Sequence, residues 1–294
     1  MSADQRPIVV GVDDSAGTEA ALQWAAQDAR ARDVSVRLVC AYRNAVPRVQ
    51  VPGYVDIPEV ELLRPRQVAE QLVTDAVDRV TAVYPRAEAQ GDAIDGDPVS
   101  VLVGESARAT LVVLGSRHLG TLGSTVLGSV SAGVVARAAS PAVVVRGPAG
   151  RPEDGAGVVI GVDGTEASEI VLEFGFEHAS RHRVPVRAVL CWRLDLLATL
   201  SVRPEQPAPE GVEAWLAETL AGWQEKFPDV TVHREVIRDY AVAGLLTAST
   251  GQHLLLVVGN RGRHALAGTL LGSVSQGVLH HATCPVAVVP THGD

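Results

Sequence analysis

Two stretches of the chain bring together residue types that can hold a phosphate without a lysine. One is Gly259-Asn260-Arg261-Gly262, followed after nine intervening residues by Gly272-Ser273-Val274-Ser275. The other, 144 residues earlier, is Gly115-Ser116-Arg117-His118, followed after the same interval by Gly128-Ser129-Val130-Ser131. Glycine lets main-chain N–H groups approach an anion where a β-carbon would collide. A short apolar run precedes each motif (Leu111 to Leu114, and Leu254 to Val258) and a helical pattern follows. Each motif therefore sits at a strand-to-helix turn, where α/β proteins hold phosphates. Gly272 and Ser273 fall near the first turn of the next helix, so unpaired N–H groups, the positive end of the dipole and a hydroxyl can meet one phosphate. Each charge-assisted hydrogen bond contributes about 1.5 to 3 kcal/mol, so a handful can hold a triphosphate. No G-K-[ST] occurs anywhere in the chain, which excludes the P-loop.

Arg117 and Arg261 occupy the same place in the two motifs and are the fixed positive charges nearest the expected phosphates. Solvation is the default for a lone surface arginine; the match between motifs argues for phosphate contact. His118 stands where the second motif has Gly262. If that position needs a positive φ, histidine incurs a steric cost, and the first site is weakened unless Gly120 and Gly123 supply the flexibility. Asp13 and Asp163 close the first apolar run of each half, where a carboxylate can accept from a ribose hydroxyl or an adenine amino group. The plainer reading is that each caps the following helix, with Ser15 or Thr165 sharing the task, and the two readings are compatible.

The elements that must position these residues are written twice. Ile8-Val-Val-Gly-Val-Asp13-Asp-Ser15 recurs as Val158-Val-Ile-Gly-Val-Asp163-Gly-Thr165, and Ser140-Pro-Ala-Val-Val-Val145 recurs as Cys284-Pro-Val-Ala-Val-Val289. The spacing predicts domains over 1–146 and 158–294, joined by a glycine- and proline-rich linker at 147–157. Short valine-rich runs alternate with longer helical patterns, which predicts parallel strands joined by crossover helices. In the first half, strands are expected near 7–13, 34–41, 87–94, 111–115 and 142–146. Helices are expected over about 18–32, 64–84, 98–108 and 126–138, the third capped by Asp97 with Pro98 at its first position. In the second half Val212, Trp215, Leu216, Thr219, Leu220, Trp223 and Phe227 share one helical face, so the tryptophans read as core. The segments 43–63 and 193–209 lack any period and read as long loops, and the last run of each half reads as a sheet edge open to pairing.

Composition narrows the possible partners. With 47% hydrophobic and 20% charged residues the chain can build real cores. It has 24 arginines, one lysine and 34 acidic residues, a net charge of -9, and no basic run to track a phosphate backbone, so nucleic acid is not an expected partner. No apolar stretch reaches the roughly 18 residues a membrane helix needs, and the first residues show no signal-peptide pattern, so a cytoplasmic protein is expected. Cys40, Cys191 and Cys284 are odd in number, widely spaced and set in apolar runs, which reads as buried reduced thiols. His280 and His281 lie close to Cys284 in sequence but belong to the end of the preceding helix, not to a catalytic pair.

The pair of patterns G-V-D-x-[ST] at a first strand and G-x-x-G-(nine residues)-G-S after a fourth resembles the universal stress protein family in its tandem two-domain form. The resemblance covers both halves, complete in the second at Gly259, Gly262, Gly272 and Ser273 and departing at His118 in the first. It implies an α/β fold of two doubly wound domains, each a five-stranded parallel sheet in the order 3-2-1-4-5 with helices on both faces, and ATP at the strand edge. Carried onto this chain, Asp13 and Asp163 would meet the adenosine, with Gly11 and Gly161 close by and Ala41 and Trp192 flanking the base. Gly115, Ser116, Arg117, His118, Gly128, Ser129, Val130 and Ser131, with Gly259, Asn260, Arg261, Gly262, Gly272, Ser273, Val274 and Ser275, would surround the ribose and phosphates. The resemblance further implies a homodimer acting in stress adaptation or growth control. The leading expectation is a regulatory ATP-binding protein, with no catalytic residue or metal ligand assigned. The alternatives are a slow ATPase or self-phosphorylating enzyme, its Mg²⁺ held by the phosphates, and an interaction scaffold with idle or cyclic-AMP-binding sites. The bases near the motifs are His118 and His264 alone, which argues against fast hydrolysis.

Overall fold

The computed structural model describes residues 6–44, 59–118, 125–146, 157–165, 167–192, 210–250, 255–262 and 271–291. The chain divides into two compact units, Met1–Val145 and Arg146–Asp294. Most of the expected loops and linker, at 45–58, 147–156 and 193–209, lies outside the described residues.

In the first unit the strands are β1 (Ile8–Gly11), β2 (Val36–Tyr42), β3 (Ala89–Asp95), β4 (Leu111–Gly115) and β7 (Ala142–Val145), with α1 (Ala16–Arg32), α2 (Glu59–Val83), α3 (Pro98–Ser106) and α4 (Ser129–Val135) between them. Their parallel ladders give the order β3-β2-β1-β4-β7. The direction of travel reverses at β1, so right-handed crossovers put α1 and α2 on one face and α3 and α4 on the other. That reversal opens a crevice at the carboxyl ends of β1 and β4. Ile8, Val10, Leu111, Val112, Val113, Val143 and Val144 have no exposed surface, as strands covered on both faces require. β3, with the sequence AQGDAID, alternates half-buried and exposed positions, which suits the sheet edge it forms.

The second unit repeats the plan with β8 (Val158–Val162), α5 (Ala167–His182), β9 (Val186–Cys191), α6 (Glu210–Lys226), β10 (Val232–Ile237), α7 (Ala241–Ala248), β11 (Leu255–Gly259), α8 (Ser273–His281) and β12 (Val286–Val289). Its ladders run β10-β9-β8-β11-β12. On α6, Leu216 and Leu220 are buried, and Trp223 packs against Phe176 of α5 with ring centroids 5.8 Å apart. On this face the leucines are core, while Trp215, Trp223 and Phe227 are half-buried, short of the full burial the period predicts. Beside it Lys226 reaches Glu173 at 2.7 Å and lies 5.0 Å over the Trp223 ring.

Some boundaries differ from the sequence expectation. α2 begins at Glu59, not residue 64, and carries Pro65 inside it. α4 spans Ser129–Val135, shorter than 126–138, because residues 117–118 (β5) and 125–126 (β6) pair as a two-rung antiparallel ladder before it begins. Asp97 caps α3 as expected, accepting from the Ser100 N–H at 3.1 Å with Pro98 following. Among the described residues no helix is long and apolar enough to cross a membrane.

The first helix of each unit ends on a non-glycine residue in the left-handed region, Asp33 at φ 55 and Arg183 at φ 56. At the end of α5, Val184 N–H reaches back to the Ala179 carbonyl at 3.0 Å and Arg183 N–H to that of Ser180 at 3.1 Å, a helix stop that favours glycine. Arg183→Gly is expected to raise stability by about 1 kcal/mol, measured by urea unfolding. The three thiols are unbridged, and burial, the leading cause in each, pushes Cys40, Cys191 and Cys284 up to about 11 from the ordinary 9.0. A raised acid contributes stability that is complete below its unfolded value and lost as pH climbs through its folded one. The urea midpoint should therefore fall between pH 9 and 11, and Cys284→Ala should make that fall shallower.

Candidate functional site

Each crevice is organised first by a carboxylate just past the end of the first strand. Asp13 Oδ1 accepts from the Ser15 N–H at 3.1 Å, the Ser15 hydroxyl at 2.6 Å and the Thr18 hydroxyl at 2.7 Å. Asp163 Oδ1 accepts the same set from Thr165 N–H (3.0 Å), the Thr165 hydroxyl (2.7 Å) and the Ser168 hydroxyl (2.7 Å). One oxygen thus fixes the turn into α1 or α5, which is the capping role in extended form. Thr18 and Ser168, buried in the first turns of these helices, complete each cluster and were not anticipated from the motifs.

The second organiser is the turn after the fourth strand. In the second unit Asn260 clamps it: its Oδ1 accepts from Thr291 N–H at 3.1 Å and the Thr291 hydroxyl at 2.8 Å, and its N–H donates to the Val289 carbonyl at 2.8 Å. Its carbonyl accepts from Gly272 N–H at 2.7 Å and the Ser275 hydroxyl at 3.3 Å. The Gly272 N–H and the Ser275 hydroxyl, both expected to face phosphate, are therefore engaged within the chain. The first intrahelical bond of α8 is Gln276 N–H to the Gly272 carbonyl at 3.0 Å, so the N–H groups of Ser273, Val274 and Ser275 precede the helical ladder. In the first unit Ser116 N–H reaches the Val145 carbonyl at 3.0 Å, the Ser131 hydroxyl donates to the Gly115 carbonyl at 3.3 Å, and the helical ladder begins with Ala132 N–H to the Gly128 carbonyl at 2.9 Å. Ser129 and Val130 hold the places of Ser273 and Val274.

The glycines divide by what surrounds them. A β-carbon on Gly115 would stand 2.4 Å from the Gly17 carbonyl group, and one on Gly17 2.3 Å from the Ser116 oxygen, so these two let α1 lie against the end of β4. Gly11 and Gly161 make room for leucines, Leu114 and Leu102 in one unit and Leu245 in the other. Gly259 faces Thr291 in the same way, at 2.9 Å. Gly262 has no positive φ, contrary to the condition considered from sequence; a β-carbon there would stand 2.8 Å from Asp163 Oδ2. Space, not handedness, selects glycine at that position. The equivalent His118 has its backbone in the β5–β6 ladder, opposite Thr125. Gly128 and Gly272 differ from the rest. Both have ordinary extended dihedrals (φ -65, ψ 150 and φ -74, ψ 156), and among the described residues a β-carbon on either would meet nothing nearer than 3.9 Å and 3.4 Å respectively.

At the ends of the second strands, Ala41 and Trp192 are not equivalents. Val36 and Val186 hold matching registers against β1 and β8, so Trp192 corresponds to Tyr42, and Ala41 to Cys191. Sequence reasoning missed Tyr42, which a constant offset of 150 residues between the halves would have found. It also missed Arg238, just past β10, whose guanidinium carbon lies 5.6 Å over the Trp192 ring. Arg117 and Arg261 sit beside their turns as the motif implies, Arg117 in β5 and Arg261 directly after Asn260.

The chain matches the family model for universal stress proteins twice, over residues 5–146 and 157–290. It is 35% identical over 295 residues to a universal stress protein of Mycolicibacterium smegmatis, covering 98% of each chain. It is also 35% identical over 289 residues to one from Mycobacterium tuberculosis strain H37Rv, covering 97% of each. Among solved structures, a universal stress protein from Archaeoglobus fulgidus superposes with a TM-score of 0.74 at 15% identity, covering 99% of this chain and 100% of that one. Two carboxylate-pinned turns, two glycine-bearing strand ends and these full-length matches make the chain a member of the universal stress protein family, with two family domains in tandem.

Proposed function

We propose that this protein binds an adenine nucleotide, ATP in the first instance, with its phosphates at the helix that follows the fourth strand, and that occupancy regulates the protein's assembly or partners in the cytoplasm. The observation that carries this reading is Gly272. Its backbone suits any residue, and the nearest described atom to a β-carbon there would be at ordinary contact distance. Among the described residues, packing thus gives no reason for glycine at the N-cap, where serine, aspartate and asparagine are better caps. A ligand approaching the N–H groups of Ser273, Val274 and Ser275 does give one, since a side chain at this position would occupy the anion's place. The Ser273 hydroxyl, on an exposed residue, and Arg261 add donors on the same turn.

The rest of the crevice suits the other parts of a nucleotide. Asp163 keeps Oδ1 for the chain and lies with Oδ2 toward Gly262, within reach of a ribose hydroxyl or an amino group. Trp192 at the neighbouring strand end offers a ring for the base. Regulation by occupancy needs no fast chemistry: a ligand at about 100 times its Kd stabilises the bound state by roughly 2.7 kcal/mol, enough to bias a homodimer or a loop.

The reading is tested by the substitution that separates cap from ligand site. Gly272→Asp improves the helix cap and places a carboxylate where the phosphate is proposed to lie. The expected result is a thermal midpoint equal to or above that of the parent, with ATP affinity lowered tenfold or more in calorimetric titration. Mass spectrometry of the denatured parent protein should release an adenine nucleotide. No released nucleotide, together with a melting temperature that ATP does not move, would overturn the proposal.

A further inference from the structure

We propose that Asn260 is the positioning residue of the second unit's nucleotide site and couples that site to the end of β12, so that occupancy and the anchoring of Thr291 rise together. The inference rests on the nucleotide reading above and concerns what holds the donors at the start of α8. β11 and β12 pair in parallel from Leu256–Val286 to Gly259–Val289. In such a ladder every second residue of one strand donates its N–H to the residue before its partner and accepts at its carbonyl from the residue after. Leu256 donates in this way to the Pro285 carbonyl at 2.9 Å, and Asn260, in the same phase, to that of Val289 at 2.8 Å. The next rung of the pattern is Thr291 N–H to the Asn260 main-chain carbonyl.

The side chain makes that rung instead. Asn260 Oδ1 accepts from Thr291 N–H at 3.1 Å and from the Thr291 hydroxyl at 2.8 Å. The displaced main-chain carbonyl is thereby released to accept from Gly272 N–H at 2.7 Å and the Ser275 hydroxyl at 3.3 Å, which fixes the N-cap and first turn of α8. Gly259 leaves room for this clamp, since a β-carbon there would stand 2.9 Å from Thr291 Cγ2. The first unit is held differently. Ser116 occupies the matching place and keeps the strand bond to the Val145 carbonyl at 3.0 Å, but its hydroxyl is buried with no partner among the described residues. Residue 147, in the place of Thr291, is a glycine and has no hydroxyl to offer. There the Ser131 hydroxyl donates to Gly115 at 3.3 Å, not to the residue after it.

Asn260 and Thr291 are both half-buried, so the clamp can open without unfolding the sheet. Once it opens, the Asn260 carbonyl is free to return to the ladder, and the N–H groups of Ser273, Val274 and Ser275 lose their fixed orientation. A ligand on those groups therefore favours the closed clamp, and by linkage the closed clamp favours the ligand.

Calorimetric titration of the full chain with ATP tests the coupling at the site that Gly272→Asp weakens. Asn260→Ser, which installs the first unit's residue, should lower affinity there about tenfold. Thr291→Val, which keeps the shape and loses the hydroxyl, should lower it about threefold, and Thr291→Ser, which keeps both donors, should leave it unchanged. Amide exchange read by NMR supplies a readout that a merely structural role would not move. Saturating ATP should slow exchange at Thr291 by about fivefold or more in the parent and leave it unchanged in Asn260→Ser, with circular dichroism confirming that each variant is folded. If Asn260→Ser does not fold, Thr291→Val and the exchange measurement on the parent decide alone. Parental affinity in Asn260→Ser or Thr291→Val, or exchange at Thr291 that ATP does not alter, overturns the coupling and leaves the nucleotide reading standing. A folded parent that binds no ATP overturns both.

Discussion

The crevices of this protein depend on a single carboxylate oxygen in each unit. Asp13 Oδ1 and Asp163 Oδ1 each gather one backbone N–H and two hydroxyls within 3.1 Å. An ionised carboxylate accepting several donors is held in one rotamer, and it holds the chain that supplies them. The strand end, the turn and the first helical residues therefore form one rigid corner. Everything else at the crevice is placed from it: Gly17 brings α1 against Ser116, and the outer oxygen of Asp163 sets the space that Gly262 must leave empty.

Around that corner the fourth-strand turn is built to be stiff on its inner side and open on its outer one. Asn260 ties β11, β12 and the start of α8 together through both its side chain and its main chain. The hydroxyls of Ser131 and Ser275 face inward to carbonyls of the same turns. Among the described residues, what remains outward are the first N–H groups of the helix and the residues at positions 129 and 273. This division keeps the donors pre-oriented, so a ligand need not order them, which is the usual route from modest contacts to useful affinity.

Much of this was legible in the sequence because the physics involved is local. Valine-rich runs of four to seven residues, Asp97 before Pro98, and the apolar face of α6 each declare an element through covalent neighbours alone. The doubled motif located both crevices. What could not be read were the partners across space. Nothing local tells that the Gly115 β-carbon is excluded by Gly17 and not by a phosphate, or that the Ser275 hydroxyl turns inward to Asn260. Ala41 and Trp192 differ in register by one residue, and here the sequence itself holds the answer, since the constant offset of 150 between the halves matches Trp192 to Tyr42.

The placement of the sole lysine has a chemical corollary. Lys226 is engaged with Glu173 and the rings of Trp223 and Phe227, and every other basic side chain besides histidine is an arginine. Guanidinium groups keep their charge at any pH the fold tolerates and do not react with acyl donors as amines do. The protein's positive surface is in that sense indelible: acetylating metabolites can erase one side-chain cation in the whole chain, and that one reports on the packing of α5 against α6.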